Sequence, residues 1–205
     1  MSSNSKAVLL LPGGGMSSWL WSRIVDKLDA DPVCPEYRLP VNALEARLNS
    51  TVKDCVDYFL SLISEYGSVT VVGQSAVGAL SLPLRIMNTA AIKSQVKRKS
   101  TPMSKKASIV KKYFCNTCDE ETADFILKQE LLSDPLCVAF EKANWEDLPE
   151  IRQKYVVLTK DNTHPVKKQL AIAGNMNISD LEYVEADHMA ALSKPEEIAN
   201  IINKW

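Results

Sequence analysis

Four places in the chain bring together residue types that can do chemistry. Leu9 to Pro12 runs into Gly13, Gly14 and Gly15, and Val71-Val72-Gly73-Gln74 runs into Ser75. Val156 to Lys160 runs into Asp161, and Tyr183 to Asp187 runs into His188. In order these supply a glycine-rich loop, a hydroxyl, a carboxylate and an imidazole, which is the inventory for acyl transfer through a serine nucleophile. A serine hydroxyl is a weak nucleophile until a base takes its proton. The chain has only two histidines, His164 and His188. His188 directly follows an apolar stretch and suits a base reaching toward the serine. Asp161 can hydrogen-bond its other ring nitrogen, fixing the tautomer and stabilising the imidazolium. Asp187 is a poor orienter, because adjacent side chains in a loop usually diverge. The order Ser75, Asp161, His188 is the order of a serine hydrolase built on an open parallel sheet.

Two backbone N–H groups complete such a site. Ala76, immediately after the nucleophile, would give one donor to the developing oxyanion, and Gly14 or Gly15 the other. The three-glycine run does not read as a nucleotide cradle, since no Lys-Ser/Thr follows it and G-x-G-x-x-G is absent. Around Ser75 the G-x-S-x-G pattern is half satisfied: Gly73 is in place, Val77 occupies the second glycine position, and Gly78 comes one place late. A plain strand-to-helix turn with Ser75 capping the helix is the competing reading of the same residues.

The elements that must position these groups alternate in type. Strand patterns cover Ala7–Leu11, the region of Pro32 to Tyr37, Ser68–Val72, Tyr155–Thr159 and Leu181–Val184. Helical spacing runs through Trp19, Trp21, Ile24, Val25 and Leu28. It recurs over Val52–Tyr66, with Val52, Val56, Phe59, Leu60 and Ile63 on one face, and over Thr122–Leu132, Val166–Ala173 and Pro195–Trp205. A further helix should start at Ala79, shifted or kinked by Pro83. Alternation of this kind implies an α/β fold with a mostly parallel, doubly wound sheet, and ligands then bind at the carboxyl ends of its strands. Ser68–Val72, β-branched and apolar, reads as a buried strand.

Size and charge narrow the field. With 205 residues, 46% of them hydrophobic and 24% charged, the chain suits one globular domain with a real core. A net charge of −1 argues against a nucleic-acid partner. No stretch reaches the roughly 18 apolar residues of a membrane span, and Ala7–Leu11 is too short for a signal-peptide core. The five cysteines, irregularly spaced, favour reduced thiols and a cytoplasmic location. Cys115 and Cys118 have metal-ligand or redox spacing, but no second pair accompanies them, so no metal is expected. Ala90–Lys112 carries Lys93, Lys97, Arg98, Lys99, Lys105, Lys106, Lys111 and Lys112 without one acidic residue, and reads as a solvated face.

The residues also resemble a known group. Leu9–Trp21, LLLPGGGMSSWLW, resembles the first loop of the α/β-hydrolases that include plant methylesterases, hydroxynitrile lyases and their bacterial esterase relatives. Asp187–Ile202, DHMAALSKPEEIANII, is similar to that group's Asp-His-Met and Ser-Lys-Pro segment. Val157–Pro165 is similar to its acid-bearing loop and Phe114–Gln129 to the start of its helical cap. The resemblance implies one α/β-hydrolase domain over residues 1–205 with a cap inserted at about 100–150. It makes Gly14 and Ala76 the oxyanion donors, Ser75, His188 and Asp161 the catalytic residues, and a small carboxylic ester the substrate, with no cofactor. Two departures stand out. Val77 behaves as a one-residue insertion in the nucleophile turn, and Ile92–Pro102 is too polar for the buried strand expected there. Lyase chemistry with the same triad, and a non-catalytic binding or interaction protein on the same fold, remain open readings; so does a homodimer.

Overall fold

The computed structural model describes residues 5–36, 45, 49–75, 107–130, 132, 134, 137 and 151–205. The chain divides into two compact units. One comprises Met1–Lys99, Glu130–Asp147 and Asn200–Trp205, the other Ser100–Gln129 and Leu148–Ala199. Three expectations lie outside the described residues: the helix from Ala79, the polar segment Ile92–Pro102, and most of the basic run.

The first unit is built on strand β1 (Lys6–Leu11), with β2 (Asp31–Val33) on one side and β3 (Ser68–Gly73) on the other, all parallel. β1 is apolar from Ala7 onward and buried from Ala7 to Leu11 because both its edges are paired. β3 was expected to be buried but is only half covered, with Val71 exposed at 46%. Its one strand neighbour among the described residues is β1. The glycine turn follows β1, closed by Met16 N–H donating to the Gly13 carbonyl. The expected tryptophan-bearing helix is instead two short 3-10 turns, Ser18–Trp21 and Val25–Lys27, which still bury Leu20, Trp21 and Ile24.

Helix α1 (Val52–Ile63) begins in a capping box: Thr51 Oγ1 accepts from Asp54 N–H, and Asp54 Oδ2 accepts from Thr51 N–H. Its inward stripe is Val52, Cys55, Phe59 and Ile63, packed with Leu9, Leu11, Val33, Val69 and Cys137. The face expected from sequence is rotated by one position, since Val56 and Leu60 are exposed and the small apolar thiol of Cys55 takes the central place.

The second unit holds a parallel pair, β4 (Tyr155–Leu158) and β5 (Leu181–Val184), in register from Tyr155 opposite Leu181 to Leu158 opposite Val184. A π-helical turn Val110–Phe114 and helix α2 (Glu120–Lys128), N-capped by Asp119, lie within the span expected as a cap. Helix α3 (Val166–Asn175) connects β4 to β5. Beyond β5 come the short α4 (Ala190–Ser193), which sequence periodicity does not reveal, and α5 (Pro195–Asn203). No helix among the described residues is long and apolar enough to cross a membrane.

Candidate active site

In the first unit, Ser75 stands two residues beyond β3. Its φ of +56° lies in the left-handed region, where a side chain other than glycine is strained. That is the backbone of a sharp turn that lifts a side chain above the sheet. Gln74 N–H donates to the Leu11 carbonyl, continuing the β1–β3 pairing and fixing where the turn departs. The glycine loop passes directly over it. A methyl group at Gly13 would sit 1.9 Å from Gln74 Oε1 and 3.2 Å from Ser75 Cβ. Gly15 has φ +76°, a second glycine-demanding position, and its carbonyl accepts from Leu132 N–H. Gly14 lies between them, so the loop and Ser75 are close neighbours. Ala76 and Val77 lie outside the described residues. The one described cavity of this unit, about 270 Å³, is at the opposite end of the strands, between Lys6, Ser68, Asn203 and Trp205.

In the second unit the carboxyl ends of β4 and β5 present Asp161 and His188. The parallel ladder is prolonged beyond both strands: Thr159 N–H donates to the Val184 carbonyl and Lys160 N–H to the Ala186 carbonyl. Residues three beyond β4 and four beyond β5 are thereby brought side by side. His188 Nδ1 and Asp161 Oδ2 are 2.7 Å apart, with both side chains buried. Asp161 Oδ1 accepts from the N–H groups of Thr163 and His164, at 2.7 and 3.0 Å, and from the Thr163 hydroxyl. Burial alone would raise this carboxyl. The His188 hydrogen bond and charge, with the Thr163 and His164 donors, outweigh it and hold Asp161 down at about 2.

The imidazole is framed on two sides. His164 stacks on it at 5.6 Å and 16°, and Phe114 meets it edge-on at 5.4 Å. Burial, then the charges of Lys168 and His188, lower the His164 pKa, and its buried Nδ1 has no hydrogen-bond partner among the described residues. Asp187 turns away from its neighbour. Its Oδ1 accepts from Met189 N–H and Ser193 Oγ, and its Oδ2 from Thr117 N–H and Oγ1.

Sequence reading missed Gln169. Buried at 3% exposure, its Oε1 accepts from Leu158 N–H, and its Nε2 donates to the Leu158 and His164 carbonyls. This amide bonds the last residue of β4 and His164, and so holds both ends of the loop that carries Asp161. The available signal is a polar residue four positions before buried Ala173 on the same helical face.

Two groups of donor atoms could in principle attract a cation. In the first, Asp161 and His188 are already at hydrogen-bond distance, a separation bridged by a proton. In the second, Cys115 and Cys118 are joined to each other beside Asp187. That disulfide corrects the expectation of reduced thiols for this pair: the Cys-Asn-Thr-Cys turn brings the two Cα atoms to 5.1 Å, within bonding reach. Cys34, Cys55 and Cys137 form no disulfide among the described residues.

No protein-family model matches the chain, and no curated protein matches it by sequence. Solved structures do match. Polyneuridine aldehyde esterase aligns over 98% of both chains with 14% identity and a TM-score of 0.73. A methylesterase from Arabidopsis aligns over 98% of both with 16% identity and a TM-score of 0.70. A thermophilic esterase from Thermogutta terrifontis covers 100% of this chain and 90% of its own, with 17% identity and a TM-score of 0.75. The parallel strands with intervening helices and the likeness to these structures agree: the chain has the α/β-hydrolase fold.

Proposed function

We propose that this protein is a serine hydrolase that cleaves small carboxylic esters. The observation that carries the reading is the buried His188–Asp161 pair at the carboxyl ends of β4 and β5. An aspartate on Nδ1 places the neutral ring's lone pair on Nε2, the nitrogen that must act as base. The left-handed backbone of Ser75, and the glycine loop lying against it, support the same reading. Esterases are among the structures that share the fold, which agrees with it.

The roles follow from chemistry. Ser75 Oγ attacks the ester carbonyl while His188 Nε2 takes its proton. Asp161, ionised throughout, stabilises the imidazolium. The N–H groups of Gly14 and Ala76 stabilise the tetrahedral oxyanion, each worth about 3 kcal/mol of barrier. His188 then returns the proton to the departing alcohol, and water repeats the sequence on the acyl-enzyme. The residues require no cofactor for any of these steps.

Hydrolysis of p-nitrophenyl acetate and butyrate by wild type, Ser75→Ala and His188→Ala tests this, together with labelling by a fluorophosphonate. Activity and labelling lost in both variants are the expected result. A folded wild type that neither labels nor exceeds Ser75→Ala would overturn the assignment and favour a binding protein on the same fold.

A further inference from the structure

The Cys-Asn-Thr-Cys turn has no part in the reaction just described, yet it is bonded to both loops that carry the base and its carboxylate. Thr117 N–H and Oγ1 both donate to Asp187 Oδ2 at 2.9 Å, and Cys118 Sγ lies 3.4 Å from the same oxygen. Asn116 Nδ2 donates to the Lys160 carbonyl, one residue before Asp161. Phe114, adjacent to Cys115, packs its edge on the His188 ring. Asp187 immediately precedes His188 and is completely buried, with no cation bonded to its carboxylate among the described residues. A buried carboxylate of this kind depends on its hydrogen-bond donors, and losing one is costly. Two of its four protein donors come from the residue enclosed by the disulfide ring.

We propose that Cys115 and Cys118 form a reversible thiol–disulfide switch that sets the position of His188 through Thr117 and Asp187. In the oxidised state the closed ring presents the Thr117 N–H and hydroxyl together to Oδ2. The two sulfurs differ in access, Cys115 being buried and Cys118 half-buried. A small thiol therefore attacks Cys118 Sγ: the S–S bond breaks, Cys115 leaves as a thiolate and takes a proton, and a mixed disulfide forms on Cys118. A second small thiol displaces Cys118 from it. Overall, one protein disulfide and two small thiols give two protein thiols and one small disulfide, with two electrons passing to the protein.

In the reduced state the turn is no longer closed, and the Cys118 S–H becomes a competing donor to Asp187 Oδ2. Thr117 is then free to leave the carboxylate, and the residue next to it in sequence is the base. The oxidised form is the ordered one, and its imidazole has the fixed geometry. This effect on catalysis rests on the esterase reading; the effect on the imidazole does not.

The test equilibrates the full chain in glutathione buffers from reducing to oxidising. At each ratio three quantities are read: the alkylation state of Cys115 and Cys118 by peptide mass, the His188 imidazole proton resonances, and ester hydrolysis. With two histidines in the chain, His164→Asn assigns the resonances. One two-electron transition is expected, with the His188 resonances and kcat moving at the same midpoint. Reduction should lower kcat about tenfold with KM within about twofold, the pattern of a mispositioned group rather than lost binding. The double variant C115S/C118S should show the reduced-state His188 spectrum in every buffer. Thr117→Val, which keeps both cysteines, should retain the transition but blunt the His188 response. Moving His188 resonances without hydrolysis in any buffer would uphold the switch and sink the esterase reading. Cysteines that stay reduced in oxidising buffer, or a disulfide whose reduction leaves the His188 resonances unmoved, would overturn the switch.

Discussion

The turn carrying Ser75 and the loops carrying His188 and Asp161 are held by opposite means. Ser75 owes its place to the backbone. Its φ of +56° is a conformation that costs about 1–2 kcal/mol for a residue with a side chain, and it persists only if its surroundings over-determine it. They do so through main-chain groups: the Gln74 N–H bonded to Leu11, a buried β1 alongside, and glycine backbone where a side chain would collide. His188 and Asp161 are placed by side chains. Asp161 has a partner on both oxygens, Gln169 pins the loop at both ends, and Asp187, the residue before His188, is held by donors on both of its oxygens. A nucleophile needs one exposed atom at a fixed point, which steric constraint supplies. A base–carboxylate pair needs a stable charge distribution, which only a satisfied polar network supplies.

That contrast orders the expected losses. The largest falls on the proposed nucleophile: Ser75→Ala should lower kcat by about 10⁶ while leaving the fold intact, since it removes one oxygen and relieves no packing. An unchanged kcat would place the chemistry elsewhere. Next is Asp161→Asn, which keeps shape but reverses the hydrogen-bond requirement on Nδ1 and favours the wrong tautomer. A loss of about 10⁴ in kcat is expected, with KM little altered. A loss under tenfold would show that Asp161 holds its loop rather than tuning the base.

The same contrast explains what could be read from sequence. Strands β1, β3, β4 and β5 were legible because apolar runs of that length, bounded by Gly, Pro or charge, have few alternatives, and the carboxyl ends of the last three pointed to Ser75, Asp161 and His188 as candidates. The pairing of Asp161 with His188, and the diversion of Asp187 to Thr117 and Ser193, followed from the divergence of neighbouring side chains. Less legible were features decided by tertiary contact. Helical spacing around Trp19 to Leu28 became two 3-10 turns. The stripe of α1 shifted to Cys55, because Val56 and Leu60 fit the helical spacing as well and only packing decides between the two faces. The cover of β3 was overestimated because composition does not reveal what packs on a strand's faces. Gln169 and the Cys115–Cys118 bond were invisible for the same reason, as their partners are distant or depend on how a turn closes.

Gly13 tests the steric half of the comparison. In Gly13→Ala the new methyl meets Gln74 Oε1 at 1.9 Å and Ser75 Cβ at 3.2 Å. The glutamine end can swing away, but the serine Cβ is tied to a strained backbone, so the displacement passes to the nucleophile. A shift of that kind should lower kcat about 10- to 100-fold. Thermal unfolding should change much less than activity. A variant with full activity would show that the loop gives way instead and that Ser75 is less constrained than its backbone implies.

The smallest effect concerns the polar half, and it appears in stability. Asp161 is held at about 2 against an ordinary 3.8, so the folded state favours its charged form. Its contribution is fully present above the unfolded value and is lost as pH falls through 3.8 toward 2, where both states become protonated. The lowered His164 adds a separate loss at higher pH, as acid begins to charge the unfolded histidine below 6.5. The two windows do not coincide, which lets one variant isolate the carboxylate. Urea unfolding of wild type and Asp161→Asn from about pH 6 to about pH 3 should show their difference shrinking by about 1 kcal/mol at most, mostly below pH 4. A difference that stays level across that range would mean that the Asp161–His188 bond does not depend on the carboxylate charge. The base would then be held by shape, as the nucleophile is, and the contrast between the two regions would fail.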